Sequence, residues 1–143
     1  MDLAPSVVRK IILDEHMLIR TKLSAIEQLI DKKQDRALKN AVDEFLHFFL
    51  KHLSTEEKLL RPVLKSIDHW GEIRVERLNK DHLEQTQEIK RLNSLVSENK
   101  FAEYEAALKI FVQSIYKDME HEEKDYLSAD LLKDDFITSG NCG

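Results

Sequence analysis

Residues 35–62 read DRALKNAVDEFLHFFLKHLSTEEKLLRP. Apolar side chains recur in this segment at roughly three- to four-residue intervals, the spacing that places them on one face of an α-helix. They are Leu38, Val42, Phe45, Phe49, Leu53, Leu59 and Leu60. Pro62 comes next, and because proline lacks a backbone donor we expect it to bend or end the helix. The segment therefore predicts a long amphipathic helix.

Three further segments show the same apolar spacing, at residues 5–30, 73–96 and 104–130. Only 3 Gly and 2 Pro interrupt the chain of 143 residues, which favours long helices. Long helices joined by connections of a few residues must run antiparallel to their sequence neighbours. We therefore expect an all-α fold, an up-down-up-down antiparallel four-helix bundle over residues 1–133, followed by a loose C-terminal tail at 134–143.

Charge and composition exclude several classes of partner. The chain carries 22 Lys+Arg against 27 Asp+Glu, a formal charge of −5 without a long basic run, which is unlike a nucleic-acid-binding surface. The apolar stretch at residues 45–50 is interrupted by His47 and is too short to span a membrane. The N-terminus lacks the order of a secretion signal, and the single Cys142 fits a reducing compartment. We expect a cytoplasmic protein.

Each predicted helix carries one histidine on or beside its apolar face: His16, His52, His82 and, on the flank of the fourth stripe, His121. In an antiparallel hairpin His16 and His52 fall at the same height, and His82 and His121 agree less closely. One layer of the bundle could therefore hold all four imidazoles. A core histidine satisfied by an ordinary hydrogen bond is commoner than a metal ligand, and a metal-free interaction bundle remains an alternative.

Two carboxylates strengthen the metal hypothesis. Glu56 follows His52 by one helical turn, and Asp125 follows His121 in the same way. A buried carboxylate among neutral imidazoles is costly unless a cation is present. The pattern therefore predicts a two-metal site, and mixed nitrogen and oxygen ligation suits iron or manganese better than a structural zinc.

A weak internal echo points the same way. Asp14-Glu15-His16 recurs as Lys80-Asp81-His82 with an offset of 66 residues. The spacing from His52 to Glu56 recurs between His121 and Asp125 with an offset of 69. Two similar helix pairs would give a site with approximate twofold symmetry.

The segment His52-Leu-Ser-Thr-Glu56-Glu57-Lys-Leu-Leu-Arg-Pro62-Val-Leu64 resembles the His-x-x-x-Glu-Glu motif and the following turn of the hemerythrin-like, or HHE cation-binding, family. The resemblance covers about residues 5–130. It implies a non-haem di-iron centre, with an oxo or hydroxo group between the two iron ions. His16 and His52 would bind one iron and His82 and His121 the other. Glu56 and Asp125 would bridge them.

The chain departs from the oxygen-carrying members on its third helix. Those proteins have a His-x-x-x-His pair there, whereas Leu78 and Thr86 flank His82 in this chain. Their last motif also spaces His and Asp one residue further apart. One ligand is thus missing, and Asp118 and Asn79 are the nearest candidates to replace it. Sensing, storage or peroxide chemistry fits this departure better than reversible oxygen carriage.

The resemblance implies a protein that binds dioxygen, peroxide or nitric oxide as a carrier, sensor or scavenger. A sensor would also need a protein partner. An alternative is a di-iron peroxidase or catalase-like enzyme. A second alternative is iron storage or oxidation, which requires two inward Glu-x-x-His motifs. Only Glu44 and His47 match that motif, and His47 points away from the face of His52, so the pattern for iron storage is incomplete. Whether the chain is an enzyme stays open.

Overall fold

The computed structural model describes residues 3–134, which contain helices and no strand. The elements are α1 (Pro5–Asp31), α2 (Asp35–Thr55), a π-helical turn (Glu56–Leu60), α3 (Arg61–Ile67), α4 (Gly71–Ser97) and α5 (Phe101–Lys124). Thr55, Leu60 and Arg61 all have right-handed helical backbone, so α2, the π turn and α3 form one continuous helical segment. The all-α fold with four helical segments is confirmed.

Pro62 does not end the second segment, which continues to Ile67. The irregularity lies just before the proline, where the backbone N–H of Arg61 donates to the carbonyl of Glu56, five residues earlier. Residues four apart advance about 40° beyond a full turn in an α-helix, and a π turn reduces this drift. This explains how one face buries four side chains at four-residue spacing: His52, Glu56, Leu60 and Leu64.

Two tight connections have the same construction. Three residues link α1 to α2 and three link α4 to α5. Lys33 and Asn99 each adopt a left-handed backbone conformation, with φ of 54° and 58°. This is the usual way in which a helix ends and the chain reverses.

The apolar core consists of two clusters, with a layer of buried polar side chains between them. Along α1, His16 lies between Ile12 of the smaller cluster and Ile19 of the larger one. At the end of α5, Glu122 lies between Met119 of the larger cluster and Tyr126, two residues beyond the helix, of the smaller one. The polar layer is therefore enclosed on both sides by packed hydrocarbon.

The predicted tail begins at Asp134, whose carboxylate accepts hydrogen bonds from the backbone N–H and the hydroxyl of Ser6, at 3.0 and 2.6 Å. The rest of the predicted tail, residues 135–143 with Cys142, lies outside the described residues. Within residues 3–134, no helix combines the length and the apolar character needed to cross a membrane.

Candidate metal centre

Four buried polar side chains meet in the layer between the two apolar clusters: His16, His52, Glu56 and Glu122. None is more than 4% exposed, and each offers one ligand atom within 4.8 Å of the others. Imidazole nitrogen and carboxylate oxygen are both ligands for divalent transition metals. The group therefore has the composition of a metal site.

A third histidine joins this group through Glu56. Nε2 of His82, on α4, lies 2.9 Å from Oε1 of Glu56, and Nε2 of His52 lies 3.4 Å from the same oxygen. His82 is 6% exposed. Glu56 thus stands between an imidazole of α2 and an imidazole of α4, the position that a carboxylate shared by two ions would take.

An outer carboxylate contacts the Nδ1 atom of each of these histidines. The distances are 2.8 Å from His16 to Glu123, 2.7 Å from His52 to Glu15, and 3.3 Å from His82 to Glu57. An ionised carboxylate only accepts, so Nδ1 carries the proton and Nε2 keeps a lone pair directed at the cluster. Histidines that bind metals are usually oriented in this way.

The inner atoms are spaced too widely to satisfy one another. Nε2 of His16 lies 3.7 Å from Oε1 of Glu122 and 4.0 Å from Oε2 of Glu56, beyond hydrogen-bond length. All three atoms are buried without a hydrogen-bond partner. These separations are about twice a metal–ligand bond of roughly 2 Å. The residues present therefore fit a cation.

The electrostatics of the cluster also favour a cation. Burial, reinforced by the charge of Glu122, raises the pKa of Glu56 well above its usual range. Burial opposes the imidazolium of His16, but Glu122 and Glu123 outweigh burial and raise its pKa. In this buried layer, a negative charge on one of the two carboxyl groups disfavours ionisation of the other unless positive charge is added. A bound ion would supply that charge.

The structure brings His16, His52, Glu56 and His82 together, and it does not bring the other two predicted ligands to them. His121 is exposed, and Asp125 follows the last residue of α5 with an oxygen 3.7 Å from Arg77. The buried stripe of α5 runs through Tyr104, Leu108, Phe111, Val112, Ile115, Met119 and Glu122. One residue rotates a helix by about 100°, so the stripe that buries Glu122 turns His121 toward solvent.

The sequence pattern did not indicate Glu122 as a candidate ligand, because it lies in an acidic run of the kind that usually faces solvent. Two sequence signals point to it. It lies seven residues after Ile115, on the same face of the helix, and it begins the pair Glu122-Glu123, 66 residues after Glu56-Glu57. The offset for the second helix of each pair is therefore 66 rather than 69.

The two candidates for the missing ligand are placed differently. Asn79 accepts a hydrogen bond from Arg61 at the exposed surface, at 2.6 Å. Asp118 is half-buried and accepts a hydrogen bond of 2.8 Å from the buried Gln85 amide. Burial raises the pKa of Asp118, with a further contribution from Glu122. Asp118 thus belongs to the polar layer, and Asn79 does not.

The remaining residues that the sequence analysis discussed lie outside the cluster. His47 and His69 are exposed. Glu44 is exposed as well, so its Glu-x-x-His motif does not face the core. Leu78 is fully buried in the smaller apolar cluster, one turn from His82.

An all-helical protein with a buried layer of imidazoles and carboxylates that can hold a cation is the class defined by this fold and site. The family model of the hemerythrin HHE cation-binding domain matches residues 7–129. The chain therefore belongs to the hemerythrin HHE cation-binding domain family, as its His-x-x-x-Glu-Glu motif indicated. No curated protein and no solved structure matches the chain.

Proposed function

We propose that this chain is a non-haem di-iron protein that binds dioxygen, peroxide or nitric oxide. The observation that carries this proposal is the meeting of three imidazole Nε2 atoms around two buried carboxylates. One iron would be held by His16, His52, Glu56 and Glu122. The other would be held by His82, with Glu56 and Glu122 shared between the ions. When bound, a pair of iron ions supplies reversible electron exchange with such ligands.

The residues around this site orient the ligands and exclude water. Glu15, Glu57 and Glu123 hold the three imidazoles by Nδ1, which fixes the plane of each ring. The ring centroid of Phe49 lies 5.9 Å from that of His52 and 5.5 Å from that of Phe45, on which Phe49 stacks. A small neutral ligand can enter such a site more easily than hydrated ions can, because the surroundings are apolar.

The proposed scaffold is an up-down-up-down antiparallel bundle. Two pairs of contacts support opposite directions for α1 and α5: His16 with Glu123, and Glu27 with the hydroxyl of Tyr116. The three-residue links of α1 to α2 and of α4 to α5 support antiparallel hairpins. In this arrangement each segment contributes to one layer near the same height.

A peroxidase or catalase-like activity of the same centre is the second candidate. It is favoured by the count of imidazoles, since three meet here where the sequence predicted four. Fewer imidazoles leave more coordination positions for peroxide. If the protein senses a ligand rather than consuming it, the signal would pass to a protein partner.

The test is iron loading followed by absorption spectroscopy. We expect about two iron ions per chain, as in other di-iron bundles. We also expect charge-transfer bands that change on admission of oxygen or addition of nitric oxide. The His52→Ala variant should lose most of the iron and the bands, and His47→Ala, at an exposed position, should retain both. Wild-type protein that binds only trace iron, or whose bands ignore both gases, would overturn the proposal.

Peroxide consumption separates the two candidates. Turnover by the iron-loaded wild-type protein that is lost in His52→Ala and kept in His47→Ala supports the enzyme. Binding spectra without turnover support a carrier, sensor or scavenger.

A further inference from the structure

The two halves of the described chain are related by a constant offset of 66 residues. Helix α1 spans Pro5–Asp31 and α4 spans Gly71–Ser97, so both ends differ by 66. Helices α2 and α5 begin at Asp35 and Phe101, with the same difference. The left-handed residues Lys33 and Asn99 and the turn hydrogen bonds around them follow this offset as well.

The polar layer follows the same rule in crossed contacts. His16 corresponds to His82, Glu56 to Glu122, and Glu57 to Glu123. Nδ1 of His16 contacts Glu123 from the other half, at 2.8 Å, and Nδ1 of His82 contacts Glu57, at 3.3 Å. Each half therefore supplies the outer carboxylate for the histidine of the other. This is the pattern of a twofold-symmetric site.

Two pairs of equivalent positions break the symmetry. The counterpart of His52 is Asp118, and the counterpart of its outer carboxylate Glu15 is Asp81. An imidazole paired with a carboxylate in one half thus becomes two carboxylates in the other.

The side chain of Gln85 is a second, independent observation that indicates a ligand site in this half. Its side-chain amide N–H donates to Asp118 at 2.8 Å and thereby orients the carboxylate. Gln85 is only 3% exposed, yet its Oε1 has no hydrogen-bond partner. An oriented carboxylate beside an unsatisfied buried oxygen requires something positive or a donor.

We propose that the two metal positions are chemically unequal, with a nitrogen-rich position at His16 and His52 and a carboxylate-rich position at His82 and Asp118. Glu56 and Glu122 serve both. This inference rests on the proposed function only in assuming that the buried layer binds two metal ions. The carboxylate-rich position has one imidazole fewer and one hard oxygen more.

The difference in ligands predicts a difference in metal preference. Imidazole increases affinity for later first-row ions such as Co²⁺ and Zn²⁺, whereas carboxylate oxygen suits Mn²⁺. The nitrogen-rich position should therefore fill first with Co²⁺. The carboxylate-rich position should discriminate much less between Co²⁺ and Mn²⁺ and should be the weaker of the two for Co²⁺.

The test is titration of the metal-free full chain with Co²⁺, followed by absorption and calorimetry, and with Mn²⁺, followed by electron paramagnetic resonance. Wild-type protein should show two classes of Co²⁺ site with affinities that differ by roughly tenfold or more, the size of effect that changes around metal ligands produce. Asp118→Asn should lose the weaker class and retain the tighter one. Glu120→Gln, exposed on the same helix, should retain both.

Asp118→His provides the complementary test, because it makes the second half match the first. We expect this variant to bind its second Co²⁺ more tightly and to bind Mn²⁺ more weakly than wild type. Circular dichroism and melting curves check that each variant is folded before titration.

The outcomes separate the two proposals. Wild-type protein that binds neither ion overturns this inference together with the proposed function. Two bound ions of equal affinity, with Asp118→Asn unchanged, overturn the inference alone. Loss of both classes in Asp118→Asn also overturns it, since the two positions would then not be separable.

Discussion

Oε1 of Glu56 lies 2.9 Å from Nε2 of His82, although the two residues belong to different helical segments. Glu56 opens the π turn that follows α2, and His82 lies in the middle of α4. The contact links the motif of the first helix pair to the histidine of the second. Glu56 is therefore one of the side chains through which the two halves form a common site.

Single substitutions on α5 should show whether Glu122 or its neighbour His121 takes part in metal binding. Glu122→Ala should lose most of the bound iron, because it removes a buried carboxylate of the cluster. His121→Ala should load normally, because His121 is exposed. Iron-to-chain ratios by elemental analysis measure both. Loss of iron in His121→Ala with full iron in Glu122→Ala would contradict the site described here.

The outer carboxylates should affect metal affinity without being ligands. Glu123→Gln weakens the acceptor for Nδ1 of His16 and removes the ion pair with Arg20, which is 2.8 Å long. Changes to such partners typically weaken metal binding roughly 10- to 100-fold. Competition with a coloured chelator measures this. Glu120→Gln, which is exposed, serves as the control, and equal affinities in the two variants would show that Glu123 does not tune the site.

Removal of the metal should lower the melting temperature but leave the helices. The two apolar clusters supply a core that does not depend on the ion, and a ligand that binds only the folded state adds stability by mass action. Circular dichroism before and after chelation should show similar helicity and a lower melting midpoint. Complete loss of helicity on chelation would mean that the polar layer cannot stay folded alone.

The Asp81 carboxyl should contribute more to the stability of the metal-free protein on mild acidification. The pKa of Asp81 is raised by burial and by Asp118 from its usual 3.8 to about 6. The folded state therefore binds more protons than the unfolded state between these values, so this contribution to stability grows as the pH falls through that window. Urea unfolding of metal-free protein at about pH 7 and about pH 5 measures it. The change from about pH 7 to about pH 5 should be less favourable in Asp81→Asn than in wild type, and exposed Asp14→Asn should behave as wild type. Equal changes in Asp81→Asn and wild type would contradict the expectation.

Gly71→Ala should destabilise the protein through backbone crowding. A Cβ atom at Gly71 would lie 2.5 Å from the carbonyl oxygen of Leu64 and 2.6 Å from that of Lys65. Backbone atoms cannot move aside as a flexible side chain can, so we expect a loss of about 1–3 kcal/mol in the free energy of unfolding. Urea unfolding measures it, with exposed Glu72→Ala as the control. Equal stability of Gly71→Ala and wild type would show that α3 and α4 can separate there.

The apolar spacing was sufficient to predict four helical segments, although the fourth ends at Lys124 rather than near residue 130. The predicted segments at residues 5–30 and 73–96 correspond to α1 and α4, and the connections at Lys33 and Asn99 fell where the pattern stopped. Amphipathic periodicity is a property of each segment alone, so it can be read without knowledge of neighbours. The same holds for His52 and Glu56, whose four-residue spacing places them on one face of one segment.

The π turn before Pro62 could not be predicted in this way. Proline at position 62 signals an irregularity, but whether the helix stops, bends or widens depends on what packs against it. Here Leu60 and Leu64 pack into the smaller apolar cluster. Both leucines lie on the continuous helical segment whose buried face also carries Glu56.

The register of α5 was decided by tertiary packing. Its acidic run, residues 120–125, offers several carboxylates and one imidazole within two turns, and the sequence pattern favoured His121 and Asp125. The helix buries the stripe that ends at Met119 and Glu122, and Oε1 of Glu122 lies 3.7 Å from Nε2 of His16 on α1. A rotation of about 100° per residue then exposes His121. Local pattern thus sufficed for the helical segments and for the candidate ligands His16, His52, Glu56 and His82. Contact among helices far apart in sequence placed Glu122 in the cluster in place of His121 and Asp125.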